Sequence, residues 1–453
     1  MTAADSRRRH SVGQGDDQRT VFARDRDRVL YSQAFQRLAG VTQVVSPSEG
    51  LIFHSRLTHS MKVAQLARRL AEHLLVTQPD VVEAAGGIEP EAADAAGLAH
   101  DIGHPPFGHA AEQELQRLVA IGLGRDESDK GGYEGNAQAF RVLTTLAPHR
   151  ARYLGLNLTR RTLRAVLKYP WLHDPSSAER ARKYGAYGTE AATLEWVLEG
   201  SKAGEKSLEA QIMDLADDLT YSVHDLQDFF RAGLINPASV LAHIEEFLAS
   251  WFKYLDDDAV LTPTEHKKRV ARAARATPTE HFEGLLFLGL GERPYTGSFG
   301  ARTALDEASS MTIGRLLRTA HLKDEGGDRY RLDVPDPTLV HLRFLQRIVW
   351  TEVIQGHKVA SQQVGQKKIV RTLYETYHEW IDKEQLQHLP RLFAELVELS
   401  FSSSETVSRE VLVTRFAADI VASLTDREAV LLYHRLTGSS LGAVTDLMPS
   451  AFS

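Results

Sequence analysis

The chain is predicted to be all-α, with at most minor β-hairpin pieces. Three observations support this. Apolar residues recur at spacings of three and four in segment after segment, strand-like runs are only two and short, and Ser, Pro or acids stand where helices would begin.

The first strong segment is SMKVAQLARRLAEHLL (60–75), where Val63, Leu66, Ala67, Leu70 and Leu74 form one stripe behind Ser60 as cap. PEAADAAGLAHDIGH follows from Pro90, and its proline and acids suit a first helical turn. SLEAQIMDLADDLTYSVHDLQDFF (207–230) reads as one long helix ending near Gly233. Segments 237–255, 339–355, 367–380 and 410–424 repeat the pattern. TQVV (42–45) and YRLDV (330–334) are the two strand-like runs. The Gly/Asp-rich stretches 122–132 and 323–328 read as exposed, mobile loops.

At 453 residues the chain has room for roughly two to four compact units. Residues 1–20 read as a mobile polar tail, 21–235 as the core, and 236–453 as a helical C-terminal region that completes the fold and offers an oligomer interface. With 43% hydrophobic and 25% charged residues, the chain can bury a sizeable core. Its formal charge of −7 argues against a general nucleic-acid binder. The absence of cysteine excludes disulfides and thiolate zinc sites, so any metal must be held by His and carboxylates, which suit Mg, Mn, Fe or Zn. No segment approaches the ~18 apolar residues of a membrane span, and the polar N-terminus lacks a secretory apolar region. The expected location is cytoplasmic.

GLAHDIGHPPFGHAAEQEL (97–115) concentrates proton-carrying and metal-binding groups among apolar residues. His100 and Asp101 are adjacent near the end of an alanine-rich helix, and neighbours on a helix point about 100° apart, so both reach one ion only at the helix flank. The bland alternative is a core histidine beside a capping aspartate. Gly103 and Pro105-Pro106 break the helix around His104. A new helix then carries His109 and Glu112 three apart on one face, where a carboxylate can orient an imidazole for general acid–base catalysis. FHSRLTHS places Arg56 three residues before His59. DDLTYSVHD places Asp217, Tyr221 and Asp225 on one helical stripe, and acids among apolar residues are costly to bury without a partner or metal.

A histidine, a His-Asp doublet and a distant aspartate together resemble the HD phosphohydrolase superfamily. Six ordered blocks narrow the resemblance: RLAGVTQV, SRLTHSMKVAQLAR, GLAHDIGHPPFGHAAE, YEGNAQAFR, LKYPW and MDLADDLTYSVHDLQD. Spanning Arg37 to about Asp228, they are similar to the deoxyguanosinetriphosphate triphosphohydrolases, whereas the C-terminal half matches only loosely. The resemblance implies an HD-type metal-dependent core over 21–235. It also implies one divalent metal ion per site (Mg, Mn or another transition metal), held by His59, His100, Asp101 and Asp217. Asp218 is the rival of Asp217, which is preferred because it shares a face with Tyr221 and Asp225.

His109 and Glu112 match the family's catalytic pair. Arg56, Lys168 and His104 would contact the triphosphate, Gln43 would read the 3′-hydroxyl, and Tyr221 would exclude a 2′-hydroxyl, with Asp225 also facing substrate. Some relatives carry a further histidine where Tyr133–Gly135 stand, so the relay beyond Glu112 is open here. The implied activity is dNTP triphosphohydrolysis, dGTP-preferring, giving deoxynucleoside and tripolyphosphate. A dNTP effector and a homo-oligomer are the implied partners. The alternatives are an HD phosphohydrolase acting on a monophosphate, cyclic nucleotide or alarmone, and a nucleotide-sensing or single-strand-binding protein. The last is motivated by the basic clusters ARDRDR (23–28), LTRRTLR (158–164) and EHKKRVARAAR (265–275).

Overall fold

Helix capping sets most of the architecture. The computed structural model describes residues 5–11, 17–43, 55–124, 131–256, 265–282, 284, 294–354, 357–403 and 407–439. Among them, helices dominate and one two-stranded antiparallel sheet is present. No helix among these residues is long and apolar enough to cross a membrane.

Thr20 caps α1 (Val21–Leu30) by accepting from the Ala23 amide. Ser55 does the same for α2 (Arg56–Thr77) through the Thr58 amide, so this helix begins four residues before the predicted Ser60 and includes His59 in its first turn. Pro90 opens α3 (Pro90–Ala99), whose residues Ala92 to Ala99 are all buried. The alanines have a reason: α3 lies so close to α2 that a Cβ on Gly97 would sit 2.5 Å from the Ala64 Cα. This approach brings the His-Asp doublet at the end of α3 against His59. Gly97→Ala should therefore force the helices apart and cost roughly 1–3 kcal/mol, the usual range for overpacking. Urea unfolding measures this, and an unchanged midpoint would show that the two helices tolerate separation.

The predicted 207–230 helix is interrupted. Ser207 caps the helix Leu208–Thr220 by accepting from the Ala210 amide, and this helix gives way to a π-helical turn at Tyr221–Asp225 before Leu226–Arg231 resumes α geometry. Such turns are often found at functional sites because they re-aim side chains. Of the strand-like runs, Tyr330–Asp333 pairs with His321–Asp324; of the predicted 323–328 loop, Lys323 and Asp324 are therefore in the strand and the turn is 325–329. Thr42 and Gln43 are not in a strand, and the rest of TQVV lies outside the described residues, as do 125–130 of the predicted 122–132 loop.

The main core joins both halves of the chain. Val63, Leu98 and Leu115 belong to the same cluster as Leu373, Phe416 and Ile420. A second core, around Phe229, Trp251, Phe282 and Phe344, draws its residues from 226–353. The N-terminal segment also differs from the expected mobile tail. Arg8 pairs with the buried Asp25, Asp5 pairs with Arg164 at 2.7 Å, and His10 exchanges hydrogen bonds with Asn157, so residues 5–11 are fastened to the core.

Candidate active site

His100 caps α3, and its Nδ1 lies 2.7 Å from the Gly97 carbonyl. A carbonyl only accepts, so Nδ1 carries the proton and Nε2 keeps its lone pair. That Nε2 is buried without a hydrogen-bond partner, 3.6 Å from Asp217 Oδ1 and 3.5 Å from Asp101 Oδ1. His59 Nε2 approaches the same Asp217 oxygen at 3.1 Å. Lone pairs facing two carboxylates are mutually repulsive unless a cation lies between them. Ligand atoms of His59, His100 and Asp217 all lie within 4.8 Å of one another, and the nitrogen–oxygen donor set fits a divalent metal. Asp101 flanks this trio through Oδ1.

The carboxylates are held ionised, as ligands must be. Burial alone would push Asp101 and Asp217 upward. Arg56 chiefly overcomes this at Asp101, and Lys168 chiefly at Asp217, so both stay well below the usual range. Asp218 faces elsewhere: Arg343 grips it at 2.8 Å and Gln346 joins the contact. The helix thus separates the two rivals, with Asp217 directed to the histidines.

The second group follows the turn. α4 (His109–Leu123) begins after Gly108, where His109 Nδ1 meets Glu112 Oε2 at 2.9 Å. The His109 side chain is 78% exposed, leaving Nε2 open to a substrate, whereas Glu112 is nearly enclosed. Burial would raise the Glu112 carboxyl, but His109, His104 and Lys183 hold it well below its ordinary value. Glu112 Oε1 accepts from the Gly135 amide at 3.1 Å, and Lys183 lies 3.8 Å away. A backbone amide and an ammonium group thus support Glu112. His104 links the two groups: its Nδ1 is 3.0 Å from Asp101 Oδ1, and a nitrogen of its ring lies within 4.8 Å of the His109–Glu112 ligand atoms.

The expected phosphate cations have other partners. Arg56 is buried, donating Nε to the Thr42 carbonyl at 2.8 Å and pairing Nη1 with Asp101 at 2.8 Å. Lys168 sits between Asp214 at 2.6 Å and Asp217 at 3.2 Å; these acids raise it well above its ordinary value against the effect of burial. Gln43 is half-buried, with Oε1 unpartnered. Tyr221 and Asp225 bracket the π turn. Burial, with Asp228 and Asp217 nearby, pushes the Asp225 carboxyl well up, and its Oδ2 has no hydrogen-bond partner.

Sequence reasoning missed several supports. Asp214 is the first acid in MDLADD and anchors Lys168 together with Lys206; its place among apolar residues was a usable signal. Lys183 and Asp426 have no local signature. The basic clusters are largely committed internally. Arg26 pairs with Asp94 at 2.9 Å, Arg161 with Glu209 at 2.6 Å and Arg269 with Asp333 at 2.5 Å, while Arg28 donates to the carbonyls of Leu156 and Asn157.

Residues 56–222 match the HD domain family, and residues 332–435 match the phosphohydrolase-associated domain. A Streptomyces coelicolor protein named deoxyguanosinetriphosphate triphosphohydrolase-like is 36% identical over 437 residues, covering 93% of each chain. The chain belongs to the deoxyguanosinetriphosphate triphosphohydrolase-like family of HD-domain proteins. A relative of the same name from Corynebacterium efficiens is 46% identical over 66% of this chain and 64% of its own, and one from Shewanella loihica is 28% identical over 95% and 96%. Membership makes the chain a phosphohydrolase, and its His59, His100 and Asp217 group could hold a metal ion. The phosphohydrolase-associated match also gives the loosely readable C-terminal half a place in it.

Proposed function

We propose that the protein is a dNTP triphosphohydrolase that prefers dGTP and releases deoxynucleoside and tripolyphosphate. The observation that carries this reading is the single stripe from Asp217 through Tyr221 to Asp225, which places one of the metal-site carboxylates and two groups suited to a sugar on the same helix end. The names of the relatives support the same substrate class.

His59, His100, Asp101 and Asp217 would hold a divalent metal, which when bound polarises a phosphoryl oxygen and lowers the pKa of water. In the reaction water adds to the α-phosphorus, the bond from that phosphorus to O5′ breaks, and O5′ takes a proton. His109 Nε2 is the proton-transfer atom, with Nδ1 fixed by Glu112. Lys168 and His104 border the path of the phosphates, and Arg56 acts by holding Asp101. The uncharged Tyr221 phenol, raised by burial, packs against the sugar, and the Gln43 amide oxygen is open to accept from its 3′-hydroxyl.

Turnover of each dNTP with Mg, Mn or Co, with products separated by anion exchange, tests the reaction. Tripolyphosphate supports the proposal, whereas orthophosphate or pyrophosphate would assign the site to another nucleotide chemistry. Sugar selection gives a second test. The kcat/KM for dGTP should exceed that for GTP by about a hundredfold or more. Tyr221→Ala should narrow this gap, and equal values in the unsubstituted protein would reject the sugar reading.

A further inference from the structure

We infer that Asp426, in the C-terminal region, is a positioning residue that fixes both halves of the site through one carboxylate; this rests on the reading of residues 56–217 as the catalytic centre. Asp426 is the first residue of the helix Asp426–Leu436, which is already capped by the reciprocal Thr425–Glu428 pair. The Asp426 carboxylate is therefore not needed as a cap, and it points to other segments. Its Oδ1 accepts from the Phe107 amide at 2.8 Å, and its Oδ2 accepts from the Thr42 amide at 3.2 Å and from the Thr42 hydroxyl.

Each contact leads into the site. The Thr42 carbonyl receives Arg56 Nε, and Arg56 holds Asp101, so the metal-side carboxylate is two residues removed from Asp426. On the other side, Phe107 has φ +65° and Gly108 φ +59°. A left-handed phenylalanine is strained, and capture of its amide by Asp426 holds it there. The Gly108 carbonyl then accepts from the Glu112 amide at 3.0 Å, so this turn sets the direction in which α4 presents His109. A Cβ on Gly108 would lie 3.2 Å from Arg56 Nη2, showing how closely the two halves meet. Arg37 adds a parallel tie, donating to the carbonyls of Leu424, Ile102 and His104.

The test uses Asp426→Asn and Thr42→Val in the full chain. Four quantities are measured: Mn affinity without nucleotide, hydrogen exchange of a peptide spanning Phe107, kcat and KM for dGTP, and the melting temperature. Asp426→Asn should lower kcat and Mn affinity by about 10–100-fold, the range for residues supporting metal ligands, with KM changed less than kcat. Exchange at Phe107 should accelerate. Thr42→Val loses only the hydroxyl contact and should show the same pattern more weakly. A purely structural role would lower the melting temperature but leave kcat per folded enzyme and Mn affinity unchanged, and that result would overturn the inference. If Asp426→Asn does not fold, unchanged Mn affinity and Phe107 exchange in Thr42→Val would overturn it instead. Mn affinity and exchange need no turnover, so they stand even if tripolyphosphate is never released.

Discussion

His100→Ala should strip the site of its metal and reduce turnover to background while leaving the helical fold intact. The His100 Nδ1–H donates to the Gly97 carbonyl, so its lone pair at Nε2 is fixed in direction before any ion arrives. That nitrogen lies 3.5 Å from Asp101 and 3.6 Å from Asp217, between the two carboxylates. Metal affinity should therefore fall by more than the ~10–100-fold seen when a supporting residue is lost. Asp101→Ala is a poorer probe than His100→Ala. It would leave the Arg56 guanidinium buried without its ion-pair partner, at a cost of about 3–5 kcal/mol. Titration with Mn beside a circular dichroism melt checks the His100 variant. Stoichiometric metal binding with undiminished affinity would remove His100 from the ligand set.

The parts legible in the sequence were those written at short range. The His-Asp doublet, the His109–Glu112 spacing and the Asp217–Tyr221–Asp225 stripe each lie within a helix or its broken end, where periodicity fixes direction. Asp217 is preferred to Asp218 because it shares a helix face with Tyr221 and Asp225, which the family resemblance turns toward substrate, and the Arg343 contact to Asp218 gives the physical counterpart. What was not legible depends on pairing between distant segments. Asp426 reaches Thr42 across 384 positions, and Arg37 reaches Leu424 across 387. Neither residue stands out in its own neighbourhood. The same applies to the basic clusters, whose acidic partners, such as Asp94, Glu209 and Asp333, lie far away in sequence and become visible only in the fold. Arg56 shows both sides of this: its place beside His59 was clear, but its engagement with Asp101 rather than with a phosphate was not. The N-terminal segment read as a polar tail because its Asp5, Arg8 and His10 look solvated until Arg164, Asp25 and Asn157 are placed beside them.

His109→Ala should separate proton transfer from metal binding, and it carries the second large effect. His109 is outside the trio formed by His59, His100 and Asp217, and is grouped instead with His104 and Glu112. Its Nδ1 is taken by Glu112, and its exposed Nε2 is the atom free to meet a reacting oxygen. Removing it should lower kcat by roughly two to four powers of ten, the usual contribution of a general acid–base group. Metal content and dNTP affinity should change little. Glu112→Gln should act in the same direction but more mildly, because the amide keeps the shape while losing the charge that Lys183 and the Gly135 amide support. Single-turnover kinetics, a metal assay and a dNTP-binding isotherm on both variants make the comparison. Metal loss in His109→Ala would place His109 among the ligands, because only a ligand's removal would empty a trio that it does not otherwise touch. Full activity would show that the exposed imidazole plays no part in the chemistry, whatever its distance from Glu112.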